Sequence, residues 1–135
     1  MKELELRNQE LWYTDNPVRG NIDEIRSMNG TLRLPSIIVY TSEGFVSHRE
    51  GSIQRYAIVE GNKRAFVDAE NGRRTKAKLL ETDEDLDLIF DELDPGHVVI
   101  RSGINSLEAL EHSLHTWLQA RFRNREALSY GPDVD

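Results

Sequence analysis

Two uninterrupted apolar runs dominate the pattern of hydrophobic and polar positions: Ile37-Ile38-Val39-Tyr40 and Tyr56-Ala57-Ile58-Val59. Each is too short for a helix and has no polar alternation, so each predicts a buried strand, and two such strands predict a mixed sheet covered on both faces. Elsewhere the pattern alternates. Leu4 and Leu6, with Lys2, Glu3 and Glu5 between them and Leu11-Trp12-Tyr13 following, predict an opening strand or hairpin within residues 1–14. From Thr75 to Leu80, Ala77 and Leu79 oppose Lys76 and Lys78, as in a strand with one exposed face.

Helical spacing marks the other elements. Ile22, Ile25 and Met28 predict a short helix, capped by Asn21 and stopped at Asn29-Gly30. A central helix starts at Asn62 and stops at Asn71-Gly72. Thr82 and the acids after it open a further helix with Leu86, Ile89, Phe90 and Leu93 as its buried stripe, ended by Asp94-Pro95-Gly96. His97 to Ile100 reads as a strand or packed loop. Asn105 or Ser106 caps the longest helix, whose apolar face is Leu107, Leu110, Leu114, Trp117, Leu118 and Phe122. Between the two apolar strands, the 14 polar, glycine-bearing residues Thr41 to Gln54 form a long loop with a possible short edge strand at Phe45-Val46. The fold class expected is α+β: a small mixed β-sheet with flanking helices, followed by two C-terminal helices, in a single domain of residues 1–135 with a frayed tail at 129–135.

Composition narrows the function classes. Cysteine is absent, which excludes disulfides, thiolate metal sites and a cysteine nucleophile. No apolar run reaches the roughly 20 residues of a membrane helix, and the N-terminus has no apolar leader, so the expectation is a cytoplasmic protein with no membrane partner. The formal net charge of −7 opposes nonspecific nucleic-acid binding. That charge is uneven: Ser47 to Lys78 carries eight bases and four acids, whereas Glu81 to Asp94 carries eight acids and no base. An anionic ligand therefore belongs to the middle of the chain, and the acidic stretch fits a solvated helix face.

The middle also holds the chemistry. The strand Tyr56 to Val59 meets Glu60-Gly61 and then Asn62-Lys63-Arg64-Ala65-Phe66, a strand turning at a glycine into a helix. Such a turn leaves the first helical N–H groups unpaired in front of the positive end of the helix dipole, a ready anion site. A cation in that first turn is unfavourable unless an anion accompanies it, so Lys63 and Arg64 point to phosphate, although they also fit a solvated surface turn. Glu60 stands where it could hold a magnesium ion on a phosphate, accept a proton, or simply pair with Lys63 or Arg64. His48 and Arg49 lie in the long loop, where a lone histidine reads as a solvated bystander. His112 and His115 lie three apart without a Glu-x-x-His pattern, which places metal binding below a structural role. Arg121, Arg123 and Arg125 fit the C-terminal dipole of their helix, with a phosphate-facing role as the lesser alternative. No Walker A, Gly-x-Gly-x-x-Gly or Gly-x-Ser-x-Gly pattern occurs.

The order of these motifs resembles the ParB N-terminal and sulfiredoxin-like superfamily over residues 10–82. An Asn-Pro turn with a following arginine is similar to Asn16-Pro17-Val18-Arg19. A helix and a Pro-led apolar strand are similar to Ile22 to Ile25 and Pro35 to Val39, and the signature strand, Asp/Glu-Gly-x-x-Arg turn and helix to Ile58 to Ala65 with Ala69. The resemblance implies nucleotide binding at the turn, with a nucleoside triphosphate and Mg2+ as ligand and cofactor. It implies phosphate contacts from Gly61, Asn62, Lys63 and Arg64, with Arg19 reaching in, and Glu60 near the metal or the reacting group. The absence of cysteine excludes sulfiredoxin activity, and Phe66 stands where partition proteins have an arginine. Residues 83–125 form a C-terminal helical extension whose two helices are too far apart for a helix-turn-helix.

Three functions follow as expectations. The first is a nucleotide-binding ParB-like domain that regulates DNA-associated machinery, with DNA contact itself left open. The second is a phosphoryl-transfer or phosphodiester-cleaving enzyme with Glu60 and Arg64 as its catalytic residues. The third is an interaction module whose acidic helix, Asp83 to Asp94, binds a basic protein partner or mimics nucleic-acid charge.

Overall fold

A computed structural model describes residues 1–15, 17, 22–28, 35–47 and 51–123, the side chains of Ser47 and of residues 120–123 excepted. Arg19, the Asn21 cap, the Asn29-Gly30 stop, His48, Arg49, Arg125 and the tail, with the side chains of Arg121, Phe122 and Arg123, lie outside that description.

The strands are β1 (Lys2–Leu6), β2 (Leu11–Trp12), β3 (Ile37–Tyr40), β4 (Val46–Ser47), β5 (Ile53–Gln54), β6 (Tyr56–Glu60) and β7 (Thr75–Leu79). The helices are α1 (Ile22–Met28), α2 (Asn62–Glu70), α3 (Asp83–Ile89), α4 (Val98–Arg101) and α5 (Leu107–Arg123). Five strands form one mixed sheet in the order β1-β7-β3-β6-β2, and β4 and β5 form a separate two-stranded ribbon. β3 lies at the centre, parallel to β7 and antiparallel to β6. The molecule is therefore α+β, a five-stranded mixed sheet with helices on its flanks.

Both apolar runs are strands near the middle of this sheet, as their composition requires, and alternate residues feed two cores. Ile37, Val39 and Ile58 join Leu6, Leu11, Tyr13, Ala77 and Leu79 beneath α2, whose Ala65 faces them. Ile38, Ala57 and Val59 join the larger core, which α3, α4 and α5 cover with Leu86, Ile89, Val99, Leu110, Leu114 and Leu118. The C-terminal helices thus share one apolar interior with the sheet. α1 is tied to α2 by the forked pair of Arg26 with Glu70, at 3.0 and 2.9 Å.

Three expectations change. Of the two readings of the opening segment the strand holds and the hairpin does not: β1 pairs antiparallel with β7, and β2 pairs parallel with β6 at the opposite edge. A 3-10 turn at Asn8–Glu10 separates the two strands. The cross-strand neighbours Glu3–Lys78 and Glu5–Lys76 give this pairing charge complementarity that no local pattern reveals. His97 to Ile100 is neither strand nor loop but the capping residue and first three residues of α4, because His97 Nδ1 accepts from the Val99 N–H at 3.1 Å. The helix opened by Thr82 ends at Ile89 and continues as a 3-10 turn to Glu92. Thr82 does cap it, in a capping box with Asp85. Ser106 is the cap of α5, its Oγ accepting from the Ala109 N–H at 3.2 Å, and Asp83 Oδ1 accepts from the Leu107 N–H at 2.9 Å.

Phe45 anchors the long polar loop. It is fully buried between Trp12, Tyr40 and His115, with ring centroids 5.6, 5.8 and 5.1 Å away. Beside it the Tyr40 hydroxyl donates to Glu111 Oε1 at 2.8 Å, joining the sheet to α5. Burial and then this carboxylate push the Tyr40 phenol up to about 12. Among the described residues, no helix is long and apolar enough to cross a membrane.

Candidate functional site

β6 ends at Glu60, and Gly61 turns the chain into α2 with φ of 109°, a left-handed conformation that favours glycine. Space demands glycine as well. A Cβ at this position would overlap Ile37 of the central strand, standing 2.8 Å from its Cβ, and would stand 2.8 Å from Arg64 Nη2. The register of β3 against β6 shifts just before the turn, with Ile38 opposite Glu60 but Val39 opposite Ile58. This is the irregularity by which strands re-aim their ends.

The first intrahelical bond of α2 runs from the Ala65 N–H to the Gly61 carbonyl at 3.0 Å, so the N–H groups of Asn62, Lys63 and Arg64 precede it. Gly61, as the N-cap residue, has no side chain to cap this terminus. It opens into a cavity of about 430 Å³ lined by Glu60, Gly61, Asn62, Lys63 and Arg64 on one wall. Ile25 and Met28 of α1 and Pro35 supply apolar lining, while Asp15, Asp94 and His97 add polar groups.

Every predicted site residue within the described chain therefore lies on this one cavity, and their side chains are differently engaged. Arg64 Nη2 pairs with Glu60 Oε2, which is the structural pairing that the i,i+4 spacing allowed. The Asn62 amide is committed to the chain leaving β2: its Oδ1 accepts from the Thr14 N–H at 2.9 Å, and its Nδ2 donates to Thr14 Oγ1 at 3.2 Å. Thr14 in turn donates to the Ile58 carbonyl at 2.6 Å. What Asn62 offers to the cavity is thus its backbone. Lys63 is half-buried and in no ion pair among the described residues. Arg19 lies outside the described residues. No three His, Asp or Glu side chains among the described residues are placed to hold a metal ion together.

Sequence reasoning missed Asp15, Asp94 and His97. The last two enter the cavity from the connection between α3 and α4, more than thirty positions beyond the turn, and only the packing of those helices on the sheet brings them there. His97 is held well defined. With Nδ1 accepting from Val99, its neutral ring carries the proton on Nε2. Burial lowers its pKa below the usual 6.5, against the opposing effects of Glu60, the Val59 backbone and Asp94. Because the unfolded chain then binds the proton more readily, stability is full above pH 6.5 and is lost as the pH falls from there towards the folded-state pKa. His97→Asn, which keeps a capping side chain, is expected to remove this part of the pH dependence. Urea unfolding of both proteins at pH 7.5 and 5.5 checks it, and equal losses in the two would contradict the assignment.

No family model matches the chain, and no curated protein matches it. Among solved structures, the fold is similar to that of the C-terminally truncated chromosome-partitioning protein ParB from Caulobacter crescentus, complexed with CTP-gamma-S. The identity is 18% and the TM-score 0.46, over 75% of this chain and 59% of that one. This likeness is one of fold outline and gives no residue a role.

Proposed function

We propose that this protein is a nucleotide-binding domain that takes phosphate groups at the Gly61 turn. The observation that carries the reading is the meeting of a helix terminus whose cap residue is a glycine, a position there that tolerates no side chain, and the cations Lys63 and Arg64 on one cavity. Phosphate oxygens would accept from the backbone N–H groups of Asn62 and Lys63, with the Lys63 ammonium as a point charge and the Arg64 guanidinium as a fork. Ile25, Met28 and Pro35 offer apolar surface for the remainder of a nucleotide. A role regulating DNA-associated machinery accords with the motif order in residues 10–82.

Magnesium fits this site only as a passenger on the phosphates. Glu60 is the one carboxylate at the turn, and no three acidic or histidine side chains among the described residues gather for a metal. Phosphate oxygens and water would supply most of its ligands, the usual situation for this ion.

The test is thermal unfolding of the wild type and Arg64→Ala against CTP, ATP, ADP and GTP with magnesium. A nucleotide at about a hundred times its Kd adds roughly 2.7 kcal/mol, which raises Tm by several degrees. The expected result is such a shift for at least one nucleotide, reduced or abolished in Arg64→Ala. Absence of any shift would overturn the reading.

A further inference from the structure

The turn that would bind an anion already has one of its own. Glu60 closes β6, Arg64 is the third residue of α2, and the left-handed Gly61 folds the helix back so that the guanidinium lies over the turn, within 2.8 Å of where a Gly61 Cβ would stand. There Arg64 Nη2 meets Glu60 Oε2, and both side chains are largely withdrawn from solvent, Arg64 to 18% and Glu60 to 35% exposure. Lys63 beside them lines the same cavity without an ion-pair partner among the described residues. The two cations of the turn are therefore not equivalent: one is held by an internal carboxylate and the other is available.

We propose that Glu60 is an internal competitor for the ligand, a carboxylate that occupies Arg64 in the free protein and that a phosphate must displace. This deepens the phosphate reading of the turn and rests on it. Carboxylate and phosphate oxygens satisfy a guanidinium in the same forked geometry, so the two compete for the same face of Arg64. Glu60 competes from four residues away, at the high effective concentration of a tethered group. Displacement also takes the Arg64 guanidinium away from Glu60 in a cavity lined by Asp15 and Asp94. A ligand of single charge gains little from such an exchange. A polyphosphate chain gains more, because it engages Lys63 and the helix N–H groups at the same time as Arg64. The competitor thus selects multiply charged phosphates and rejects weak anions, which is specificity built from a repulsive element.

Calorimetric titration with inorganic triphosphate, in EDTA so that no metal bridges Glu60 to the ligand, tests the proposal on four proteins: wild type, Glu60→Gln, Arg64→Ala and the double variant. Glu60→Gln is expected to bind about tenfold more tightly than wild type. That gain is expected to vanish when Arg64 is also replaced, because it runs through Arg64. Glu60→Ala, a second neutral replacement, is expected to reproduce the gain and serves if the Gln variant fails to fold. Equal or weaker binding by the neutral variants, with measurable binding by wild type, would overturn the competitor role and leave the phosphate site standing. A gain that persists without Arg64 would overturn it too, reducing Glu60 to a general negative charge. Binding of triphosphate to none of the proteins would overturn the phosphate site and the competitor together.

Discussion

Gly61→Ala is expected to cost about 2–6 kcal/mol, a large share of the stability of an ordinary domain. Two independent penalties meet at this residue. Holding a side-chain-bearing residue at φ of 109° costs on the order of 1–3 kcal/mol. The new methyl group would also overlap Ile37, which is 1% exposed and fixed in the central strand, and pressing a methyl into such packing costs a further ~1–3 kcal/mol. Relief by a shift of α2 would carry Ala65 out of the core and would break the Asn62–Thr14 hydrogen bonds that fix the chain after β2. Gly44→Ala is the control, since nothing lies within 4 Å of a Cβ there and its effect should stay below about 1 kcal/mol. Urea unfolding of both variants measures the difference. A Gly61→Ala loss no larger than that of Gly44→Ala would mean that neither the backbone conformation nor the contact with Ile37 is as described.

What the sequence made legible, it made legible locally. Continuous apolar runs give away β3 and β6 because a strand buried on both faces has no polar phase to hide it. Gly61 is legible as a turn, and Thr82 as a cap, because each does its work within four residues of itself. The i,i+4 pairing of Glu60 with Arg64 is legible for the same reason, as one of the alternatives open to Glu60. Pairing across the sheet is not. β1 and β2 are separated by only four residues yet occupy opposite edges, and the strand that β1 pairs with, β7, lies some seventy positions away. α4 escapes notice because four residues are too few to show a period and its cap is a histidine nitrogen, an uncommon acceptor in that role. The cavity suffers most: Asp15, Asp94 and His97 reach it only through the tertiary fold, so a reading of the turn alone finds its cations and misses most of its acids.

Phe45 makes the same point in energy. It sits in a stretch whose composition announces a polar loop, and a short edge strand is the most that the pair Phe45-Val46 suggests. In the folded protein its exposure is 0%, and it packs edge-on to Tyr40 and His115 and tilted against Trp12, so that β2, β3 and α5 meet on one ring. The loop backbone is arranged to hold it there. The Phe45 N–H donates to the Ser42 carbonyl at 3.0 Å, and its own carbonyl accepts from the Arg55 N–H at 2.7 Å and from the Gln54 amide at 3.1 Å. Phe45→Ala is expected to lower stability by about 3–5 kcal/mol, because three elements converge on the ring and cannot all close the cavity it would leave. Val46→Ala, one residue on and only half-buried, should cost no more than about 1.5 kcal/mol. Urea unfolding of the two variants separates these values. A small loss for Phe45→Ala would show that the loop, rather than α5, carries the ring, and that the helix keeps its place on the sheet without it.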